Sequence, residues 1–499
     1  MATPRLLSAL LAIGVLLTGC QGAEAESLTR LPVPQPPALD ARRPVLWVSL
    51  AAHLGRSPLV LQSAAGAIQL VDARGERFSG QRLQLRWQSQ PLEEPLQIRR
   101  SVLGPFSSFE SAEQAALAWR RQGVAAEVAH PGDWEVWAAA GAAPPPGLQA
   151  RQVQQELKQR LVVQLSTPAG WRSLEGPLQI TAPGGLRLQK GVFAGPFRLQ
   201  SDAYGSWTLV EQVPLERYLQ GVVPHEIGAG SPAAALAAQA VLARTWALRN
   251  RHRFAVDGYH LCADTQCQVY SDPRQAGAAV RRAISGTAGQ VLAVEGEPIH
   301  AVYHASNGGV SADEDEAWPL PELGYLEPEL DLRTAPPAGV SVPLDSSQEV
   351  ALLLARRSGV VGASHPLFRW RRQLTQASLR QGLGARAASL GAPLKPVVLE
   401  RGPSGRVVRL AIEGPGGRVV LERDAIRRTY RQLPSTLFVL KPAGAGVWAV
   451  EGGGFGHGAG LSQAGAIDLA ARGWSVQQIL DRYYPGASLV PIGALPASP

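Results

Sequence analysis

A single carboxylate stands out in the stretch VPHEIGAGSP, which begins at Val223. Glu226 is the only acidic residue between Glu216 and Asp257, and an alanine-rich run follows it. A lone glutamate of this kind is either a solvated loop residue or a catalytic acid held beside a helix. A catalytic acid would need a pKa raised by burial in order to stay protonated near neutral pH. The apolar residues on both sides of Glu226 favour such a setting.

Two helices are expected to position this glutamate. The run VPLERYLQG predicts a short helix that ends near Gly221. Ser231 suits the N-cap of the next helix, and Pro232 suits its first position. Small apolar residues then recur at helical spacing on one side, which predicts close packing against another element. Glu226 is therefore expected one loop before the N-terminus of this second helix.

Length and charge restrict the class of protein. The chain has 499 residues, of which 45% are apolar and 18% charged, with a formal net charge of +8. This length suits about two to four domains with a sizeable core. The basic balance favours an anionic partner such as a cell-wall polymer or a membrane surface. Because the chain contains no block of Lys and Arg, a nucleic-acid partner is not expected.

The first residues predict the compartment. The stretch MATPRLLSALLAIGVLLTGC has a basic start and an apolar run that is too short for a permanent transmembrane helix. Its end resembles a bacterial lipobox, so residues 1–20 are interpreted as a lipoprotein signal peptide with lipid attached to Cys20. A plain signal peptide with an incidental cysteine is the alternative. Residues 21–42 are rich in proline and predict a tether. We therefore expect an extracytoplasmic lipoprotein anchored to a membrane.

The rest of the chain predicts an α+β fold in two parts. Residues 43–200 contain short alternating runs separated by Gly and Ser, which are typical of β-strands. Within them, residues 96–140 predict the order strand, helix, strand, strand, similar to a SPOR-type peptidoglycan-binding repeat. An ordinary α+β insertion is the alternative. Residues 201–490 have a different, more helical pattern and are predicted to form one further domain.

Four ordered stretches within residues 205–489 resemble the SpoIID/LytB-type family. They are the run around Glu226, YHLCADTQCQVYSD from Tyr259, AVYHASNGGVSADEDEAWP from Ala301, and GGGFGHGAGLSQAGAIDLAARGWSVQQILDRYYPGASL from Gly452. The family was first known from stage II sporulation protein D, a peptidoglycan lytic transglycosylase. Ile227 stands where the family commonly has Met, a change that conserves volume.

The resemblance implies that Glu226 is the catalytic acid in a groove for glycan strands of N-acetylmuramic acid (MurNAc) and N-acetylglucosamine (GlcNAc). A lytic transglycosylase needs one carboxylic acid, whereas an ordinary glycoside hydrolase usually needs two carboxylates. A solitary glutamate therefore suits transglycosylation. The resemblance also implies an alternative function, because some relatives are non-catalytic wall-binding proteins that enhance a cell-wall amidase. A purely structural lipoprotein is a third hypothesis.

Polar residues inside the matched stretches are candidates for binding sugar hydroxyls, N-acetyl groups or the lactyl carboxylate. Each is also a candidate for a structural hydrogen bond. Gln268 and Tyr303 are the residues we expect most in the groove, and His457 is expected either there or in a structural hydrogen bond. The full set is Gln239, Arg244, Gln268, Tyr303, Ser306 and His457.

A short cysteine-containing segment carries the candidate metal site. His260, Cys262 and Cys267 lie close together, and some members of the family hold zinc through Cys and His. The resemblance therefore implies zinc bound by these three residues. The spacing of four residues between the cysteines is not that of a standard zinc finger, and no fourth ligand is obvious. A disulfide, which is permitted outside the cytoplasm, is the alternative.

Overall fold

The computed structural model describes residues 28–40, 42–51, 54–56, 58–189 and 191–496. The predicted signal peptide with Cys20, and the tether residues before 28, lie outside these ranges. Within them, no helix has both the length and the apolar character that a membrane crossing requires.

The N-terminal half is built from two sheets. Its strands are β1 (Val45–Ala51), β2 (Leu59–Ser63), β3 (Ile68–Val71), β4 (Arg77–Gly80), β5 (Arg82–Phe106), β6 (Ala126–Ala129), β7 (Trp134–Ala139), β8 (Arg151–Thr167), β9 (Gly170–Ser173), β10 (Leu178–Thr181), β11 (Leu186–Leu188), β12 (Gly191–Phe193), β13 (Phe197–Ser201) and β14 (Trp207–Pro214). One sheet has the order β1-β14-β13-β10-β3-β4. The other has the order β12-β11-β2-β5-β7-β6, and β8 also pairs with β5 while β9 pairs with β8. Alternating apolar residues from both sheets are buried in one core, as the sequence predicted for β-strands.

Residues 96–140 have the predicted order of strand, helix, strand and strand, formed by the end of β5, helix α1 (Phe109–Arg121), β6 and β7. The Ser108 Oγ accepts the Ser111 N–H at 3.2 Å, and this hydrogen bond caps the start of α1. Phe109 packs edge-on against Trp134, and this small core also contains Phe254 from the second half of the chain. The insertion is therefore packed against the second half. Its likeness to a SPOR repeat stays a prediction.

After β14 the chain becomes mainly helical, as the sequence predicted. The elements are α2 (Leu215–Val223), a π-helix (Pro224–Gly228), α3 (Ala233–Arg249), a 3-10 turn (Ala255–Asp257), β15 (Leu261–Cys262), a 3-10 turn (Pro273–Gln275), α4 (Ala278–Gly286), β16 (Gln290–Val294), β17 (Glu297–Pro298) and β18 (Tyr303–His304). Strand β15 pairs in parallel with β1, so the cysteine-containing segment joins the edge of the first N-terminal sheet. This pairing fixes the segment relative to the N-terminal half.

Residues 312–460, here called the accessory domain, contain a separate hydrophobic core formed by residues 370–450, whereas Ala317 and Trp318 near their start pack into the main core. Their elements are α5 (Glu314–Ala317), α6 (Ser347–Ala355), β19 (Trp370–Thr375), α7 (Gln376–Leu383), α8 (Arg386–Leu390), β20 (Lys395–Arg401), β21 (Val407–Gly414), β22 (Gly417–Glu422), α9 (Asp424–Thr429), β23 (Phe438–Gly444) and β24 (Val447–Gly452). The strands form two three-stranded sheets, β19-β24-β23 and β20-β21-β22. The sequence pattern had not separated this unit from the rest of residues 201–490.

The chain then returns through β25 (Leu461–Ser462), α10 (Gln463–Ala471), α11 (Val476–Tyr483), β26 (Ser488–Pro491) and a 3-10 turn (Ile492–Ala494). Strand β25 pairs in parallel with β18, which brings the glycine-rich segment before β25 next to Tyr303. The chain thus combines a β-rich first half with a second half of packed helices and small sheets, which confirms the predicted α+β class.

Helix α3 is the centre of the second half. It packs against α2, α4, α10 and α11, and it is buried on all sides, not on the single side that the sequence predicted. Its many alanines allow neighbouring helices to approach closely. The helix begins one residue later than expected, at Ala233, with Pro232 as N-cap. The Ser231 hydroxyl instead donates to the Ile227 carbonyl at 2.7 Å and ties the helix to the turn that contains Glu226.

Candidate active site

Glu226 lies in the π-helical turn Pro224–Gly228, which continues α2 without a break. Pro224 has no backbone N–H and so removes one hydrogen-bond donor from the helical backbone. Gly228 ends the turn at φ +87°, a conformation that glycine adopts without strain. Such turns are rare and often occur at functional sites. The sequence had predicted a loop here, because a single wide helical turn has no hydrophobic periodicity of its own.

Burial controls the protonation of Glu226. It raises the pKa of this carboxyl to about 7, because removal from water disfavours the charged form. The Val269 N–H donates to Glu226 Oε1 at 3.0 Å and opposes this rise in part. No cation among the described residues forms an ion pair with Glu226. The raised pKa that the apolar sequence setting predicted is therefore confirmed.

A cleft of about 280 Å³ opens beside Glu226. Its walls come from several separate parts of the chain: helix α1, the end of α3 with the residues after it, the segment after β15, the β18 region with the glycine-rich return, the segment after α5, and helix α9. Among the lining residues are Phe109, Trp246, Gln268, Val269, Tyr303, Trp318 and His457. The aromatic residues give the cleft apolar faces of the kind on which sugar rings pack.

A chain of hydrogen bonds crosses the floor of this cleft. The Tyr218 hydroxyl donates to Gln268 Oε1 at 3.2 Å, and Gln268 Nε2 donates to the Tyr303 hydroxyl at 2.9 Å. Burial, together with the nearby charge of Glu226, raises the pKa of Tyr303 well above its ordinary value. Tyr303 therefore keeps its phenolic proton, and this proton remains available to a ligand because Tyr303 accepts in the bond from Gln268.

His457 is an uncharged member of the same cleft. Its Nε2 lies 2.9 Å from the Tyr303 carbonyl oxygen, and its Nδ1 accepts the Ala459 N–H at 3.2 Å. These partners assign the ring proton to Nε2. Burial lowers the pKa of His457 to about 4, so the imidazole is neutral at neutral pH. The ring packs against Trp318 with centroids 4.7 Å apart. The structure thus places His457 both in the cleft and in structural hydrogen bonds.

The other two carboxyl groups that line the cleft are neutralised by arginines. Glu110 forms an ion pair with the buried Arg253, and the Arg253 guanidinium lies over the ring of Phe109. Asp424 accepts hydrogen bonds from both Arg427 and Arg428, at 3.1 Å and 2.6 Å. These arginines hold the pKa of Asp424 below its ordinary value despite its burial. Glu226 is therefore the only carboxyl among the described lining residues without a cationic partner.

Comparison with known proteins identifies the part of the chain that contains Glu226. Residues 203–293 match the family model described as Stage II sporulation protein, and residues 312–460 match a domain of unknown function, DUF8618. Stage II sporulation protein D from Bacillus amyloliquefaciens is 29% identical over 298 residues, which are 56% of this chain and 75% of that protein. The chain carries a SpoIID-family domain. The Bacillus subtilis protein of the same name is 28% identical over 56% of this chain and 75% of its own length, and the Bacillus subtilis amidase enhancer is 27% identical over 54% and 40%.

Three residues predicted to bind substrate are structural instead. They lie in residues 201–311, which together with residues 461–490 are here called the SpoIID-type region. The buried guanidinium of Arg244 pairs with both carboxylate oxygens of Glu216, at 2.8 and 2.7 Å, and donates to the Gln290 carbonyl at 3.0 Å. Gln239 is buried on α3 and accepts from Gln463 on α10 at 3.2 Å. Ser306 is buried in a backbone bridge with the glycine-rich return. Because none of the three lines the cleft, the substrate-binding prediction for them is corrected.

The predicted zinc site is also corrected. Cys262 and Cys267 are joined in a disulfide, with Cα atoms 5.7 Å apart, and oxidised sulfurs do not offer the thiolates that zinc binds. The ring Nδ1 of His260 accepts the backbone N–H of Trp47 at 2.9 Å. The backbone N–H of His260 donates to the Trp47 carbonyl, also at 2.9 Å. These residues therefore do not fit the ion. The described ranges contain no group of three or more His, Cys, Asp or Glu residues suited to a metal. The disulfide, the alternative left open by the sequence, closes the segment that leads to Gln268 and Val269.

Sequence patterns missed the parts of the SpoIID cleft that lie outside the matched stretches. Helix α1 contributes Phe109 and Glu110, and the accessory domain contributes Asp424, Arg427 and Arg428. These segments are separated by more than a hundred residues from each other and from Glu226, so no local spacing connects them. The run RDAIRRTYRQ contains four arginines, but residues 244–253 contain as many, so arginine density does not single out this segment.

Proposed function

We propose that this protein is a peptidoglycan lytic transglycosylase that cleaves the bond between MurNAc and GlcNAc, with Glu226 as both acid and base. The observation that carries the proposal is the state of the cleft carboxyls: Glu226 has a pKa of about 7 and no cationic partner, whereas Glu110 and Asp424 are paired with arginines. One protonated carboxyl beside aromatic walls suits a reaction that needs a single acid. The SpoIID match and the relative named as an amidase enhancer support a role at the cell wall.

The proposed reaction balances with one carboxyl group. Glu226 donates its proton to the bridging oxygen as the bond from this oxygen to C1 of MurNAc breaks, and GlcNAc leaves with a free hydroxyl. The 6-hydroxyl of the same MurNAc attacks C1 through an oxocarbenium-like state. The Glu226 carboxylate takes the proton of this hydroxyl, which closes a 1,6-anhydro ring and restores the acid. No water is consumed, so a second carboxylate to activate water is not needed.

Neighbouring residues orient the acid and the sugars. The Val269 N–H, 3.0 Å from Glu226 Oε1, fixes the direction of the carboxyl and stabilises the carboxylate that forms after proton transfer. Tyr303, held by Gln268, offers its hydroxyl proton to a sugar oxygen or an N-acetyl carbonyl. The neutral His457 keeps positive charge away from the developing oxocarbenium ion.

The proposal includes the location of the protein. A disulfide between Cys262 and Cys267 suits an oxidising compartment outside the cytoplasm, where peptidoglycan lies. We propose attachment to a membrane through lipid on Cys20, which lies outside the described residues. A cell-wall amidase is the proposed protein partner of the alternative function, in which the cleft binds glycan without cleaving it. The similarity to the Bacillus subtilis amidase enhancer favours that alternative.

One experiment separates the two functions. Purified protein and its Glu226→Gln variant are incubated with peptidoglycan glycan strands, and mass spectrometry is used to detect 1,6-anhydroMurNAc ends. We expect the wild type to produce them and the variant to lose about 10²- to 10⁴-fold in rate, because general acid–base catalysis contributes that much. Equal product from both proteins removes Glu226 from catalysis. No product from the wild type, together with stimulation of an added cell-wall amidase, supports the enhancer function.

A further inference from the structure

The Glu226 cleft continues into a second, wider cleft that the SpoIID-type region does not form alone. This neighbouring cleft has a volume of about 950 Å³ and lies between the insertion, near Trp134, and helices α7, α8 and α9 of the accessory domain. The two clefts share Gln266 and Arg428 as lining residues. Together they form one groove, which we call the extended groove. A polymer bound with its cleaved bond at Glu226 would therefore run along the accessory domain.

The charge of the extended groove is uneven. At the Glu226 end, Glu110 is paired with Arg253, and Asp424 is paired with both Arg427 and Arg428. In the wider cleft, Arg386, Arg428 and Arg431 face a single acidic lining residue, Asp133. The surplus of positive charge is thus located on the accessory-domain side of the wider cleft.

These three arginines have unused hydrogen-bonding capacity. Arg428 contacts Asp424 through Nε at 2.6 Å, and its two terminal amino groups have no partner among the described residues. Arg386 and Arg431 are exposed and form no ion pair within the described ranges. A guanidinium offers two parallel N–H donors that match a carboxylate. The wider cleft therefore presents several such forks at its accessory-domain wall.

The arginines are electrostatically separated from the proposed acid. Burial is the main influence on the pKa of Glu226, and the only opposing one is the hydrogen bond from Val269. Arg427 and Arg428 line the same cleft but do not lower this pKa, although Arg427 acts on His457 and Arg428 acts on Arg253. The groove can thus bind a negative group at one end and keep its carboxylic acid protonated at the other.

We infer that Arg386, Arg428 and Arg431 of the accessory domain form a carboxylate-binding wall for the glycan strand. This inference rests on the proposed cell-wall substrate and specifies which of its groups the groove recognises. A neutral polymer of GlcNAc alone has no carboxylate for this wall. Two sources have the required chemistry, the lactyl carboxylate of a MurNAc without its stem peptide and the carboxylates of a stem peptide, and both repeat along the strand.

The test is a binding measurement on the full chain in a Glu226→Gln background, which prevents turnover. The double variant Arg386→Gln/Arg431→Gln removes two exposed charges without disturbing a buried contact. The matched control is Arg357→Gln/Arg418→Gln, which removes two exposed charges of the same domain outside the extended groove. Three probes are used: peptide-free glycan strands, strands with stem peptides, and chitin oligomers that lack carboxylates.

We expect the groove variant to bind carboxylate-bearing strands about 2- to 30-fold more weakly at low salt, since two exposed ion pairs are lost. Its affinity for chitin oligomers should not change, and the control should bind all probes like the parent. Addition of Arg428→Gln should weaken binding further, and Arg428→Lys should restore most of this added loss. The effect should shrink as salt is added, because salt screens exposed charges.

The pattern of losses identifies the carboxylate. A loss confined to peptide-free strands identifies the lactyl group, and a loss confined to peptide-bearing strands identifies the stem peptide. Equal binding of all probes by the groove variant and its parent overturns the inference, as does an equal loss for chitin oligomers. If the arginine-dependent binding is observed but the wild type yields no 1,6-anhydroMurNAc, the inference stands and the catalytic proposal fails.

Discussion

The Glu226→Gln substitution should change the pH dependence of folding, independently of any glycan. The pKa of Glu226 is about 7 in the folded chain and takes its ordinary value of 4.5 when the chain is unfolded. Between these values the folded state holds a proton that the unfolded state has released. The free energy of unfolding therefore falls as pH rises from 4.5 towards 7. Below pH 4.5 Glu226 is protonated in both states and causes no loss of stability.

The magnitude follows from the shift of 2.5, the difference between 7 and 4.5. At about 1.4 kcal/mol for each unit, wild type should lose about 3 kcal/mol of stability by pH 8 from this group alone. Partial contact of the carboxyl with solvent reduces this figure. Glutamine has the same shape and does not titrate, so the variant escapes the loss. Its stability should equal or exceed that of the wild type at pH 8, and its advantage should disappear by pH 4.

The assay is denaturant unfolding of both proteins at several pH values, with Glu94→Gln as the matched control. Glu94 is exposed on β5, so its carboxyl remains in water in the folded and unfolded states. We expect the Glu226→Gln curve to separate from the wild-type curve between pH 4.5 and 7, while the Glu94→Gln curve stays parallel to it. Parallel curves for wild type and Glu226→Gln would show that Glu226 is ionised at neutral pH, and the burial argument would be refuted.

Three further predictions concern other parts of the molecule. Replacement of Cys262 and Cys267 by Ser should cost about 2 kcal/mol of stability, as expected for a short closed loop. It should also reduce product release, because Val269 loses its fixed position. Thermal melts and product assays on variant and wild type check both effects. Arg244→Ala should lower the free energy of unfolding by about 3 kcal/mol, because it breaks a partly buried ion pair. Denaturant unfolding and glycan binding are measured together; weaker glycan binding by the folded variant would indicate a substrate role instead. Cys20→Ala should move the protein from the membrane fraction to the soluble fraction or block signal processing, and an unchanged distribution and mass would contradict lipidation.

Sequence patterns predicted the features whose causes are local. Alternating apolar residues identified the β-rich half because that pattern depends on neighbouring residues. The apolar neighbours of Glu226 also predicted its raised pKa, although the burial that raises it comes from the cleft as a whole. Arg244 and Gln239 were misassigned for a physical reason. Polar groups on a helix that is buried on all sides find their partners within the protein, as Arg244 does in Glu216 and Gln239 Oε1 does in Gln463. Burial on all sides cannot be recognised before the partner helices are known.

The sequence predicted only some of the cleft residues, because the walls of the cleft come from segments that are far apart in the chain. Gln268 and Tyr303 were found through matched stretches that lie in the SpoIID-type region. Helix α1 and helix α9 line the same cleft, but their segments lie outside the stretches that resemble the family. Only tertiary packing brings Phe109 and Arg428 together there. The cysteine segment shows the same limit, since spacing alone allowed both a metal and a disulfide.

The arrangement as a whole separates two electrostatic requirements that conflict within a small cleft. A general acid for neutral pH must be kept away from cations, because a nearby guanidinium would lower its pKa and ionise it. An anionic polymer, in contrast, needs cations for binding. In this chain the SpoIID-type region supplies the proposed acid in a setting whose charged neighbours are neutralised by ion pairs, and the accessory domain supplies Arg386 and Arg431, which form no ion pair among the described residues, further along the groove. Joining the two units allows affinity for a charged strand and a protonated acid to be adjusted separately.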